Sequence, residues 1–186
     1  MMRKVVLNLA VSLDGFIEGP NGEYDWCLMD QDYGLTDFWN SIDTLFVGRK
    51  SYELLTTTGE ISHFNSAKIY VFTNTLAEVE HDNVEIVSGA DLVADVSAIK
   101  NQDGKSIWLF GGASLLSSFM ANGLVDEFLL SVHPVLLGGG KPLFQSIKAR
   151  TGLQLTETVP YSSGLVQLRY TVLPKFDLNN IAGSDY

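Results

Sequence analysis

Trp108-Leu109-Phe110-Gly111-Gly112-Ala113-Ser114-Leu115-Leu116 carries an apolar strand into a helix through two glycines and two small residues. Glycines at such a junction let an anion approach the backbone, and the helix then points unpaired N–H groups at it. A tight turn with no ligand explains this stretch, taken alone, somewhat better. The same grammar recurs at Phe46-Val47-Gly48-Arg49-Lys50-Ser51-Tyr52, where two cations and a hydroxyl stand at the helix start. Here a phosphate site and a plainly solvated helix end weigh about equally. Two such junctions on one sheet change the balance, because a dinucleotide needs more than one phosphate anchor. Ligands of open α/β sheets lie beyond the C-terminal strand ends, where both junctions fall. Neither spacing is Gly-x-Gly-x-x-Gly, so the ordinary dinucleotide fingerprint is missing.

Outward from these junctions, short apolar runs recur at Val5–Val11, Thr44–Val47, Ile69–Thr73, Val84–Val87, Ile107–Phe110 and Phe128–His133. Near-continuous runs of this length fit strands covered on both faces of a mainly parallel sheet. Leu153–Val159 and Leu165–Val172 instead partly alternate polar and apolar around Pro160–Gly164, which reads as an antiparallel edge hairpin. Between the strands, Ala90–Lys100 and the segment from Gly112 to Asn122-Gly123 carry helical periodicity. Asp30–Ile42 and Arg49–Leu55 are weaker helices, the first interrupted by Gly34. The expected fold is α/β, a mixed, mainly parallel sheet of about eight strands flanked by helices, closed by a C-terminal antiparallel hairpin. Residues 1–173 would form one domain and 174–186 a polar C-terminal tail.

Composition narrows the function. The 186 residues are 46% hydrophobic and 18% charged, with a formal net charge of −10. That balance excludes a disordered tail and disfavours nucleic acid and anionic membrane surfaces as partners. The single cysteine, Cys27, allows no intramolecular disulfide and fits a cytoplasmic protein. The N-terminal apolar run is short and broken by Asn8, and reads as a buried strand rather than a signal peptide.

A third constellation, Ser12-Leu13-Asp14-Gly15-Phe16-Ile17, follows the first strand. Asp14 is a turn residue first, and a carboxylate placed to bind substrate or handle a proton second. Trp26 can wall a heterocycle or belong to the core. His133, ending an apolar strand before Pro134, reads as a packed or backbone-bonded histidine. Gly138-Gly139-Gly140 reads as a flexible turn at least as readily as a phosphate loop. No cluster has metal-ligand spacing, and no Ser/His/Asp or Cys/His arrangement assembles.

Ser12–Ile17 after the first strand, Val47–Tyr52 after the second and Phe110–Leu116 later together resemble the dihydrofolate reductase fold. Gly123–Phe128 followed by Pro134–Phe144 is similar specifically to the riboflavin-biosynthesis reductase (RibD C-terminal) branch. The likeness covers roughly residues 3–173 in consistent order. It implies an NADPH-dependent, cytoplasmic, homodimeric oxidoreductase acting on a small heterocycle. By that resemblance Gly48, Arg49, Lys50 and Ser51 would hold cofactor phosphates, and Gly111, Gly112, Ala113, Ser114 and Leu115 would cradle the pyrophosphate. Thr73 and Asn74 would lie by the adenosine ribose and its 2′-phosphate, and Ala10 and Ile17 would border the nicotinamide. Asp14-Gly15 would belong to a loop over the active site.

Dihydrofolate reductases grip the pteridine with an acid on the first helix; Asp32 and Asp37 are the candidates for that substrate-binding role here. No deaminase-like half with zinc-ligand spacing precedes the domain, unlike the bifunctional riboflavin enzyme. The expected function is hydride transfer to a pyrimidine- or pterin-type molecule, as in a 5-amino-6-(5-phosphoribosylamino)uracil reductase. The proton would come from Asp14 or from water. The alternatives are a dihydrofolate reductase, or a non-catalytic nucleotide-binding protein on the same fold.

Overall fold

The computed structural model of the protein describes residues 2–145, 147 and 150–174. Of the expected tail 174–186, all but Pro174 lies outside them. The early strands are β1 (Val5–Ser12), β2 (Phe16–Glu18), β3 (Ile42–Gly48), β4 (Lys68–Phe72) and β5 (Val84–Val87). The later ones are β6 (Ser106–Gly111), β7 (Glu127–His133), β8 (Lys141–Pro142), β9 (Leu153–Pro160) and β10 (Val166–Val172). The helices are α1 (Leu35–Ser41), α2 (Arg49–Thr58), α3 (Leu92–Lys100) and α4 (Ala113–Ala121).

Eight strands form one sheet in the order β5-β4-β3-β6-β1-β7-β10-β9. The first six run parallel. The expected hairpin, β9 and β10, is antiparallel and docks on β7. From β1 the chain winds outward to β3, β4 and β5, then returns to β6 and β7. Right-handed crossovers put the helices of opposite winding directions on opposite faces. The core divides accordingly. Phe38 of α1 and Tyr52 and Leu55 of α2 share a cluster with Leu45, Val47, Ile69 and Val71. Val96 and Ile99 of α3 and Leu115, Leu116 and Phe119 of α4 share the other with Leu7, Phe46, Tyr70 and Phe72. The alternation 45/46/47 and 69/70/71/72 between clusters is the period-2 pleat filling both layers.

Two local expectations change. The first helix spans Leu35–Ser41 rather than Asp30–Ile42, because Gly34 takes a left-handed φ of 72° and breaks the helical geometry before it. At its other end α1 passes directly into β3 at Ile42. The sequence also hides a second sheet. β2 and β8 pair antiparallel, Phe16 opposite Pro142 and Glu18 opposite Lys141, segments too short for a periodic signal.

Phe119 is fully buried and meets Phe46 and Phe72 at centroid distances of 5.6 and 5.5 Å. Replacing it with alanine should lower the unfolding free energy in urea by about 3–5 kcal/mol. Leu54→Ala on the exposed face of α2 should change it by less than about 0.5 kcal/mol.

Candidate active site

β3 hands its chain to α2 on one face, and its neighbour β6 hands its chain to α4 on the other. A crevice opens where adjacent connections part in this way. Both helix starts lie on it, and neither has a side-chain cap: Gly48 precedes α2 and Gly112 precedes α4. The start of α3 contrasts, with Asp91 accepting from the Ala94 N–H. The first-turn N–H groups of α2 and α4 are therefore free for an anion.

The two turns touch through their glycines. A Cβ on Gly48 would stand 3.5 Å from the Gly111 carbonyl oxygen and 3.7 Å from Gly112 Cα. Gly112 holds φ at +105° and Gly111 at +154°, conformations that side chains rarely adopt. A register shift between Phe46 and Val47 lets β6 bulge as it enters the crevice.

The expected phosphate-binding residues meet here. Ser51 Oγ lies 3.8 Å from where a Gly111 Cβ would be. Arg49 is exposed and pairs with Glu53 at 2.8 Å, one helical turn on. Lys50 is exposed and has no carboxylate partner among the described residues. Leu115 sends its side chain into the core, so it and the adjacent Ala113 and Ser114 offer the crevice backbone. On β4's far side Thr73 Oγ1 accepts from the N–H groups of Thr75 and Leu76, both at 3.2 Å, and Asn74 is exposed beside it.

A second opening adjoins the first. β1 pairs with β7 from Val6↔Glu127 to Ser12↔His133, but with β6 only from Val5↔Ile107 to Leu7↔Leu109. Beyond Leu7 the sheet splits. The Trp108 indole donates to the Asn8 carbonyl at 3.1 Å in place of a ladder bond. Ala10 borders this slot, and Ile17 of β2 packs on the α3–α4 side of the core.

Asp14 is exposed yet heavily engaged. It accepts from Ser12 Oγ at 2.6 Å and from the backbone N–H groups of Leu137 and Gly138 at 3.1 and 2.8 Å. These donors, the Ser12 hydroxyl first, hold its carboxyl below the ordinary aspartate value. The clamp continues into the β2–β8 ribbon, where Lys141 pairs with Glu18 at 2.7 Å. A Cβ on Gly140 would come 2.1 Å from the Glu18 carbonyl oxygen, so the ribbon closes only on glycine. Two stretches quoted separately in the sequence, Ser12–Ile17 and Pro134–Phe144, thus form one structure.

The candidate substrate residues scatter. Trp26 is half-buried and packs edge-to-face on His133, centroids 5.2 Å apart. Asp32 is spent on α1, accepting from the Thr36 N–H and hydroxyl at 3.1 and 2.8 Å. Asp37 lines a groove of about 560 Å³ between α1 and the hairpin. That groove lies toward the N-terminal strand ends, and its charges pair in a chain: Lys4–Glu127, Glu127–Arg169 and Arg169–Glu157. Burial, then Asp25, pushes the Cys27 thiol up, which disfavours the thiolate. Among the described residues no group of three or more His, Cys, Asp or Glu could hold a metal. No described helix is long and apolar enough to cross a membrane.

The sequence profile of the RibD C-terminal domain family matches residues 49–167. Across 90% of this chain and 94% of its relative, identity to the uncharacterized protein YyaP of Bacillus subtilis (strain 168) is 49%. The uncharacterized YwjB of the same organism is 36% identical over 91% of this chain and 98% of YwjB. The chain belongs to the RibD C-terminal domain family. Solved structures agree in fold. A Shewanella sp. PV-4 protein assigned to riboflavin biosynthesis superposes with a TM-score of 0.75 at 24% identity, over 94% of this chain and all of that one. The Thermotoga maritima diaminohydroxyphosphoribosylaminopyrimidine deaminase/5-amino-6-(5-phosphoribosylamino)uracil reductase gives 0.67 at 15%, covering 92% of this chain and 57% of that one. Enterococcus faecalis dihydrofolate reductase, complexed with NADP(H), gives 0.65 at 16%, covering 92% and 99%. The fold is thus dihydrofolate reductase-like.

The Asp14 clamp has a pH signature. Because the folded carboxyl is depressed, its contribution is present above the ordinary value of 3.8 and lost as pH falls through the lower folded value. Asp14→Asn should therefore lower the melting temperature at pH 7. Thermal scans should show the gap to the native protein narrowing below pH 3.8.

Proposed function

We propose that the protein is an NADPH-dependent reductase acting on a pyrimidine- or pterin-type ring, with residues 1–173 as its reductase domain. The observation that carries this reading is the meeting of two uncapped helix starts through Gly48 and Gly111-Gly112 beside the β1–β6 slot. One phosphate would sit on Gly48, Arg49, Lys50 and Ser51, and the pyrophosphate on the backbone from Gly111 to Leu115. Thr73 and Asn74 would meet the adenosine ribose and its 2′-phosphate. Ala10 and Ile17 would border the nicotinamide at the slot, with Trp26 on the substrate side; Asp37, in the groove toward the N-terminal strand ends, takes no part in this site.

When bound, NADPH supplies the hydride. The protein's own work is to align the acceptor ring with the slot and exclude water. Asp14, tied down as a carboxylate by Ser12, Leu137 and Gly138, serves that alignment by holding the loop over the site. The proton on this reading reaches the substrate from water. A cytoplasmic homodimer is the proposed state, and sedimentation at micromolar concentration should give about twice the 20.4 kDa chain mass.

Gly48→Ala tests the cofactor site. Gly48 has an ordinary extended backbone, φ −80° and ψ 155°, and a Cβ there meets its neighbours at 3.5 Å or more. Stability should change by less than about 1 kcal/mol, while the added methyl crowds the gap between the two turns and weakens NADPH at least tenfold. Gly112→Val would not separate these effects, because φ +105° strains any side chain. Calorimetry should also show NADPH bound more tightly than NADH. A charge-assisted contact to the 2′-phosphate contributes about 1.5–3 kcal/mol, around tenfold or more. Normal NADPH binding by the folded Gly48→Ala protein would make the junction a structural turn. NADPH binding without oxidation in the presence of any pterin or pyrimidine would favour a nucleotide-binding protein over a reductase.

A further inference from the structure

His133 ends β7 with only 3% of its surface exposed. Its Nδ1 lies 2.9 Å from the Ser131 carbonyl oxygen. A carbonyl only accepts, so Nδ1 donates to it, and in the neutral imidazole this leaves Nε2 as a lone-pair acceptor on the opposite side of the ring. Among the described residues, Nε2 is the single buried side-chain nitrogen or oxygen without a hydrogen-bond partner. Buried polar atoms are nearly always paired, so this orphan needs an account.

Its position supplies one. Ala10 pairs with Ser131 and Ser12 with His133 along β1 and β7. Alternate residues of a strand share a face, so Ala10, Ser12, Ser131 and His133 form one patch at the C-terminal rim. Ala10 and His133 are diagonal neighbours in it, about 7 Å apart. The patch lies beside the β1–β6 slot, on the face that α1 and α2 cover. Over His133 sits Trp26, its ring at 87° to the imidazole, carried by the irregular loop between β2 and α1. Its indole N–H is turned to the Glu23 carbonyl at 3.3 Å and does not serve Nε2.

We propose that His133 Nε2 is the hydrogen-bond acceptor that fixes a ring N–H or exocyclic amine of the substrate heterocycle, with Trp26 as its movable cover. The identity of the ligand as a nitrogen heterocycle rests on the reductase reading; the acceptor rests on the tautomer and the orphaned atom. The site selects rings that present a donor edge. A ring with that edge methylated leaves Nε2 unpaired and is rejected, since an unmet buried acceptor discriminates strongly between close analogues.

Nitrogen-15 NMR of histidine-labelled protein tests this directly, because the chain has three histidines, and the other two are His63 in an exposed 3-10 turn and His81 in a loop. The probes are uracil, 2,4-diaminopyrimidine and pterin, with 1,3-dimethyluracil as the donor-free comparator, each titrated with and without NADP⁺. At least one donor-bearing ring should move the His133 Nε2 resonance to its hydrogen-bonded position, and the comparator should not. That ring should bind at least tenfold more weakly to His133→Phe, which keeps a flat ring without the acceptor. His133→Gln, whose amide oxygen can reach the same point, should recover most of the affinity. NADPH affinity should be unchanged in both variants. The same losses in a protein that fails to bind NADPH would uphold the His133 contact and overturn only the reductase reading. Rings that bind His133→Phe as tightly as the native protein, with Nε2 unmoved, would overturn the proposal. So would the failure of every donor-bearing ring to bind.

Discussion

The contact of two glycine turns, Gly48 against Gly111-Gly112, is the constraint on which the rest of the molecule depends. β3 and β6 are neighbours whose chains leave for opposite faces, so their C-terminal ends must part while their backbones stay within ladder distance. Gly112 accommodates this at φ +105°, with Gly48 Cα 3.5 Å from where its Cβ would be. The same geometry delivers two helix starts to one crevice. Fold and site therefore share a cause.

On the proposed reading, this arrangement is what would let an acidic chain hold a phosphate. A net charge of −10 repels phosphate at long range. At short range the uncapped N–H groups of α2 and α4 present partial positive charge that does not depend on composition. Arg49 adds less than its formal charge, since it is exposed and shared with Glu53. Lys50 and the backbone carry more of the local field.

The opposite rim is organised for stability. Arg3, 7% exposed, bonds the Lys105 carbonyl at 2.6 Å and pairs with Asp43. Lys100 pairs with Asp126 at 2.7 Å. These bonds hold together the N-terminal strand ends, where nothing needs to open. At the C-terminal ends the β1–β6 ladder stops early, and turns, clamps and a buried histidine line the opening. The division follows from parallel topology, which points every strand's C-terminus to one side.

What the sequence determined by itself was local: which segments are strands or helices, where glycine junctions stand, and that the last two strands form a hairpin. Apolar period and turn chemistry are properties of chain neighbours, so β1, β3 to β7 and the hairpin emerge within a residue or two of their observed bounds. The junction residues Gly48 to Ser51 and Gly111 to Leu115 were legible for the same reason. Asp32 was ambiguous in the sequence because a helix-capping aspartate and a ligand-binding one look alike there, and only the structure shows its carboxylate accepting from Thr36. The tertiary structure alone decided the strand order, the slot beyond Leu7 and the β2–β8 ribbon. It also joined Asp14 to Leu137 and Gly138 across 123 and 124 residues. The Nδ1–H tautomer and orphaned Nε2 of His133 belong to the same class, since whether a buried atom has a partner depends on every element packed around it. No local pattern encodes such contacts, because they exist only once the sheet has brought distant segments to one rim.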